Sequence, residues 1–369
     1  MIGAGTTGSA IAHALAERGL RPLLVDRAGA AGGTSGSSAG MLRRHYRDPA
    51  IVSLARYGCE FLADMEQRTG SPSGYVGCGY LVVADASREN AVREAYAAMR
   101  ACGVAAELVG VDRVRDLEPR LRCDDLTIGC YEADGGYCDP LYVASGLALA
   151  AERAGATLRL DRAVRAIVRD GAGYRVELES GESHSSEICV VACGAWSNEL
   201  LAAHGAEVPL VLRRGQIGRF RPPAAFGGPG PIVSDHLHEL WIRPDGADGH
   251  YLVGGRGGRA DDELAAPEQG YRGADAGRLG DFARELAWRL PGTAGGIWRG
   301  SWASFYDFTP DENPVVDRVP GHDGLYVATG GSGHAFKLAP ALGLGAAELI
   351  CDGEVTSFDW TPLCFGRFA

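Results

Sequence analysis

Lysine is almost missing from this chain. Of its 36 basic residues, 35 are Arg and one, Lys337, is Lys. A GC-rich genome uses Arg wherever a positive charge suffices, so the one position left as Lys stands out: an ammonium and a forked guanidinium are not interchangeable. Also missing is any C-x-x-C pair among the ten cysteines, the spacing that metal and redox motifs require. Several cysteines instead lie in apolar runs such as Ile188–Cys193, where Cys packs as a small hydrophobe. A reducing, cytoplasmic compartment is expected, with no disulfides and no metal. No apolar run approaches the ~18–20 residues that span a bilayer. No secretory leader is expected either, because a glycine motif begins at Gly3. An excess of base is lacking too: the net charge of −11 speaks against a nucleic-acid or anionic-membrane partner. A length of 369 residues suggests two domains, or one large domain with insertions.

What is abundant is glycine, 54 residues, about twice the usual ~7% share. The glycines bunch at Gly3–Gly8, Gly32–Gly40, Gly254–Gly258 and Gly330–Gly333, places where backbone could approach a large ligand. Gly3-Ala4-Gly5-Thr6-Thr7-Gly8 is a G-x-G-x-x-G that opens a helical stretch from Ser9 to Arg18. The short strand Arg21–Val25 follows and ends at Asp26. That context is what dinucleotide binding needs: glycines admit a pyrophosphate to the helix N-terminus, and the acid takes ribose hydroxyls. It does not distinguish NAD from FAD. Only Met1 and Ile2 stand where a strand of about five or six residues belongs, so the polypeptide is expected to begin upstream or to lack a piece.

Further along, helices are expected over 48–70, 87–103, 141–154 and near 275–289. A meander is expected from Thr157–Leu160, Val164–Arg169 and Tyr174–Leu178, then a buried strand Ile188–Ala192 and alternating strands over 208–260. A literal G-x-S-x-G at Gly36–Gly40 lacks the buried strand that a hydrolase elbow follows. It reads better as amides and hydroxyls wrapping a phosphate or isoalloxazine edge. Near the end, Thr329-Gly330-Gly331-Ser332-Gly333-His334-Ala335-Phe336-Lys337 again runs from strand through glycine turn into a helix start. Two such sites at opposite ends of one chain suit a flavin nucleotide threaded between them better than NAD.

Over essentially its whole length the chain resembles the FAD-dependent D-amino-acid oxidase/sarcosine oxidase superfamily. The resemblance is carried by Gly3–Gly8 with Asp26, by Gly33-Thr34-Ser35 and Ser38-Ala39-Gly40 followed by Arg43 and Tyr46, and by Val190–Trp196 and Arg214-Gly215-Gln216. Thr309-Pro310-Asp311 with Pro314 and the run Ser332–Lys337 complete it. It implies an α/β fold: a Rossmann-like FAD-binding domain (1–76, 141–215 and 319–369) interleaved with a β-rich substrate domain of antiparallel sheet plus helices (77–140 and 216–318). It also implies oxidation of the C–N bond of an amino acid, an N-substituted glycine or other secondary amine. A hydride passes to flavin N5 and the imine then hydrolyses. By motif, Arg43 and Lys337 clamp the substrate carboxylate, with Tyr306 and Trp241 lining the pocket. The cofactor-binding positions are Gly3, Gly5, Thr6, Thr7, Gly8, Asp26, Arg27, Thr34, Ser35, Ser38, Ala39, Gly40, Met41, Val164, Cys193, Gly194, Trp196 and Gly331–Lys337, the amides at Gly331–His334 stabilising reduced flavin.

Two departures bear on chemistry. Monomeric sarcosine-type enzymes bind flavin covalently through a Cys where this chain has Ser304, so FAD is expected to be noncovalent. They also carry an oxygen-assisting Lys, whose match falls on Val253, which leaves open a dehydrogenase that passes electrons to a carrier. An NAD(P)-dependent reductase and a non-catalytic binding protein are the other readings. Arg44 is expected to cover surface, His45 and His334 to bond flavin or backbone, and Trp298 and Trp302 to be core. The partner is a small carboxylate-bearing substrate, and the protein is a monomer or small homo-oligomer.

Overall fold

The structure is a computed structural model that describes residues 1–246, 248–255, 262–271 and 273–368. Gly257 and Gly258, and the last part of the 208–260 alternation, lie outside the described residues.

The Rossmann-like layer is built around one residue. Ile2 bridges in parallel to Val25 on one side and Val191 on the other. It thereby joins Leu23–Val25 to Cys189–Val191, although its own strand is a single bridge. Thr157–Arg159 pairs in parallel with Leu23–Val25, and Leu325–Thr329 in parallel with Cys189–Val191. Val315–Arg318 closes the edge antiparallel. Thr157–Arg159 therefore belongs to this sheet, not to the meander. The meander consists of Val164–Asp170, Gly173–Leu178 and Ser183–Ser186. An amphipathic pattern cannot say which strand a segment will join, and here the helix Pro140–Arg153 carries the chain across to a parallel position.

Helices cover this sheet. Thr6–Glu17 starts at Gly5 and buries Ile11 and Leu15. Asp48 and Asp139 cap the helices Pro49–Ala63 and Pro140–Arg153, each accepting backbone N–H bonds ahead of a Pro at the first helical position. The C-terminal helix Ala335–Cys351 packs so closely on the first that a Cβ at Gly343 would lie 2.7 Å from the Ala10 carbonyl oxygen. Gly58 has no room for a side chain because the Lys337 carbonyl faces it.

The second body is a nine-stranded mixed sheet. Val211–Arg221 pairs with both Ile297–Phe308 and His250–Gly255, and the order continues through Leu240–Asp245, Ile232–Asp235, Tyr80–Ala84 and Ile128–Glu132. On one face of its middle, Ile217, Trp241 and Leu252 gather. The opposite face buries Leu81, Val233, Ile242 and Val253 against Phe282 and Leu286 of the helix Ala276–Arg289. No helix among the described residues is long and apolar enough to cross a membrane.

Candidate active site

Both glycine turns open onto the same space. A cavity of about 430 Å³ lies over the start of the first helix, and a second of about 160 Å³ adjoins it. Thr7, Thr34, Ser35, Asp307, Gly331 and Ala335 line both. Gly3, Gly5, Gly8, Asp26, Arg27, Val164, Cys193, Gly194 and Trp196 line the larger chamber. Thr6, Ser38, Ala39, Gly40, Met41, Gly333 and Phe336 line the smaller, together with Arg43, Trp241, Tyr306 and Lys337. Sequence ends more than 300 residues apart thus meet at one site.

The larger chamber opens over a turn that backbone packs tightly. A Cβ at Gly8 would collide with the Gly3 carbonyl, and one at Gly3 with that of Ala192, so the turn closes only with glycine at both places. Asp26 accepts from Ala4 N at 2.6 Å and Ala28 N at 2.8 Å. With about four lone-pair sites, its carboxylate can brace this loop and still accept hydroxyls. The Arg27 guanidinium stacks 4.0 Å above the Trp196 ring.

The smaller chamber is built from side chains. Lys337, 4% exposed, donates from Nζ to the Tyr46 hydroxyl at 3.1 Å and to the His334 carbonyl at 3.2 Å. Arg43 lies 4.3 Å over the same Tyr46 ring and donates to the His45 carbonyl at 2.7 Å. Neither cation has a carboxylate within ion-pair distance among the described residues. Burial, with Arg43 adding to it, holds the Lys337 ammonium well below the usual lysine range. Burial alone pushes the Tyr306 phenol up. Trp241 and Trp302 form walls fixed by Nε1 bonds to the Gly255 carbonyl (2.9 Å) and the Ser37 carbonyl (3.0 Å).

Residues 1–349 match the family model described as FAD dependent oxidoreductase. The chain belongs to that family. Glycine oxidase from Geobacillus kaustophilus is 26% identical over 376 residues, covering all of this chain and 96% of that protein. A crystal structure of glycine oxidase from the same organism superposes with a TM-score of 0.84 over 99% of this chain and 97% of its own. The 4-methylaminobutanoate oxidase (formaldehyde-forming) of Paenarthrobacter nicotinovorans is 26% identical over 384 residues, and this chain spans 45% of its length. N-methyl-L-tryptophan oxidase from Salmonella dublin is 31% identical over 261 residues, 68% of this chain and 66% of that one.

FAD is the cofactor, and this FAD-dependent oxidoreductase fits it. Two buried hydroxyls on the cavity, Thr6 Oγ1 and Ser304 Oγ, have no hydrogen-bond partner among the described residues. The glycine cradle and the N-termini of two helices supply donors suited to phosphates.

Several placements differ from expectation. Ser332 and His334 line neither chamber. Ser332 sits at φ 48° with its hydroxyl on Thr309 N (3.3 Å) and the Gly330 carbonyl (3.1 Å). Its amide reaches the Asp307 carbonyl, and that of His334 the Gly331 carbonyl. His334 Nε2 is 2.6 Å from the Glu312 carbonyl, and burial brings its pKa down to about 3. Both residues hold the loop, leaving Gly331 and Gly333 to face the cavity. Arg44 is not a surface residue: it is 7% exposed, its amide donates to both Glu132 oxygens (3.1 and 2.8 Å), and its guanidinium lies 3.7 Å from that carboxylate. Trp302 lines the pocket, whereas Trp298 packs edge-on to Phe220 in the core. Val253 points into the core on the far side of the sheet, while Leu252, one residue earlier, faces Trp241. Strand alternation takes Val253 out of any comparison with an oxygen-assisting residue.

Sequence reasoning missed Asp307. It lines both chambers and accepts from Gly330 N at 3.0 Å, tying the strand Ile297–Phe308 to the glycine turn. Burial raises its pKa. The available signal was an acid in an apolar strand two residues before Thr309.

Proposed function

We propose that this flavoenzyme oxidises the C–N bond of a small carboxylate-bearing amine, an N-substituted glycine or another secondary amino acid, and holds FAD without a covalent bond. The observation that carries this is the convergence of Arg43 and Lys337 on one chamber, with neither in ion-pair contact with a protein carboxylate among the described residues. Two basic groups gathered in a closed site without an ion-pair partner suit an anionic ligand that completes the site. The relatives' names support an amino-acid amine: glycine oxidase, and two oxidases of methylamino acids.

The larger chamber would hold the adenosine and pyrophosphate, with Asp26 on ribose hydroxyls and the Gly3–Gly8 turn on phosphates. Gly40, Met41, Gly331 and Gly333 would border the isoalloxazine. Bound there, FAD supplies the two-electron oxidant. Arg43 and Lys337 orient the carboxylate, and with it the carbon next to nitrogen. Trp241, Trp302, Tyr306 and Phe336 exclude water and bound the substrate's size. No group in the chamber is placed as a strong base, so the amine reacts neutral. The expected products are an amine with glyoxylate or an aldehyde, and hydrogen peroxide where oxygen takes the electrons. The separate core clusters around Leu342 and around Val253 support an FAD domain of 1–76, 141–215 and 319–369 and a substrate domain of 77–140 and 216–318.

The test is an anaerobic screen of N-substituted glycines, cyclic imino acids and primary amino acids, read as bleaching of the flavin. Bleaching confined to carboxylate-bearing amines is the expected result. Reduction by NAD(P)H alone would overturn the reading. Readmitting oxygen and assaying peroxide separates an oxidase from a carrier-coupled dehydrogenase.

A further inference from the structure

Lys337 is the chain's only lysine, in a place where an arginine would also be able to bind a carboxylate. What an arginine cannot do is lose its proton. Resting on the carboxylate-clamp reading above, we propose that Lys337 is an uncharged amine in the substrate-free site and takes up a proton as the carboxylate docks. The incoming amino acid's ammonium gives up the matching proton.

The geometry supports this. Nζ is buried between the Tyr46 hydroxyl and the His334 carbonyl, neither of which carries a negative charge. Arg43, which shares the Tyr46 ring, repels a second cation. Tyr306 and Asp307 of the strand Ile297–Phe308 line the same chamber, and the charges that act on Lys337 besides Arg43 are those of Cys59 on the helix Pro49–Ala63 and Glu132 on the strand Ile128–Glu132. Both favour the ammonium, less strongly than burial and Arg43 oppose it. The Cys59 thiol is pushed up to about 11, so it is neutral in ordinary conditions. Glu132 is already engaged by Arg44. His334, held neutral, adds no charge. A docked carboxylate adds an anion next to Nζ, where no protein carboxylate lies within ion-pair distance among the described residues, and shifts the balance toward the ammonium.

The step balances. An N–H bond of the substrate ammonium breaks, an N–H bond forms at Lys337 Nζ, and the charge of the complex stays that of zwitterion plus free site. The substrate nitrogen is left with a lone pair next to the carbon to be oxidised, Lys337 having served as the base. A carboxylate that has no amine must instead draw the proton from solution.

Methoxyacetate, an ether isostere of N-methylglycine, is therefore the probe. It is titrated into the holoenzyme in weakly buffered dye solution at pH values from about 6 to 9, with binding read from the flavin spectrum. Saturation should consume about one proton per site at the alkaline end, and Kd should rise about tenfold per pH unit there. Lys337→Met should bind more weakly, with no proton uptake and no such slope. Saturable binding by the wild type without proton uptake overturns the proposal and leaves the clamp standing. So does uptake that persists in Lys337→Met. If that variant is unfolded or silent, the wild-type proton count decides. A flavin spectrum indifferent to methoxyacetate overturns the clamp itself, and this inference with it.

Discussion

The two chambers of the cavity are made of different material. The larger is marked by its main chain: the turn glycines Gly3 and Gly8 with no room for a Cβ, amides at helix starts, and Asp26, whose oxygens are on backbone N–H groups. The smaller is mostly side chain: two cations, two tryptophans pinned by their Nε1 bonds and a tyrosine shared by both cations. A chamber made of backbone recognises what every flavin nucleotide has in common, and it tolerates no side chain at its turns. One made of side chains recognises a particular substrate and can be altered without emptying the cofactor site.

Substitutions should separate the two. The largest effect is expected from Gly8→Val, which must displace the Gly3 carbonyl. The flavin-to-protein ratio after purification should fall to nearly zero, and a yellow Gly8→Val would show that the turn is not the cradle. Next comes Lys337→Met. Removing one partner of a desolvated pair costs about 2–5 kcal/mol, so substrate-dependent flavin reduction should fall by roughly two to three orders of magnitude while FAD content is retained. Asp26→Ala should weaken FAD retention by about tenfold, the loss of one or two charge-assisted hydrogen bonds, and leave reduction of the reconstituted enzyme nearly unchanged. The remaining effect is one of pH. His334 titrates near 3 in the fold against 6.5 in the unfolded chain. Between those values the unfolded state binds more protons, so this contribution is complete above about pH 6.5 and fades as pH falls toward 3. Urea midpoints for His334→Gln should show a flatter acid limb than wild type, and parallel limbs would remove His334 from acid unfolding.

How much could be read from the sequence follows the same division. The Gly3–Gly8 turn, Asp26 and the final glycine turn were legible because backbone conformation restricts residue type locally. Thr157–Arg159 was misplaced because periodicity reports burial and not the partner strand. Asp307, Trp302 and the burial of Arg44 were not legible, since each depends on contacts between segments far apart in sequence: Asp307 on Gly330, Trp302 on Ser37, Arg44 on Glu132. Val253 shows the finest limit. A motif match does not say which face of a strand a residue takes, and Val253 takes the one away from Trp241.

The strand Leu325–Thr329 sits between Cys189–Val191 and Val315–Arg318, and the helix that follows it seals the space above the first helix. Synthesis therefore delivers the Gly3–Gly8 half of the cofactor's cradle more than 300 residues before the half at Gly330–Lys337. While the stretch between them is made, a nascent chain holds an unfinished nucleotide site and exposes the apolar surface of Ile11, Leu15 and Val190 that the helix Ala335–Cys351 later covers. Flavin loading then waits for that second half, and the interval is when the polypeptide most depends on chaperones. Chains stalled before residue 325 should bind no FAD, and those released with the final helix complete should.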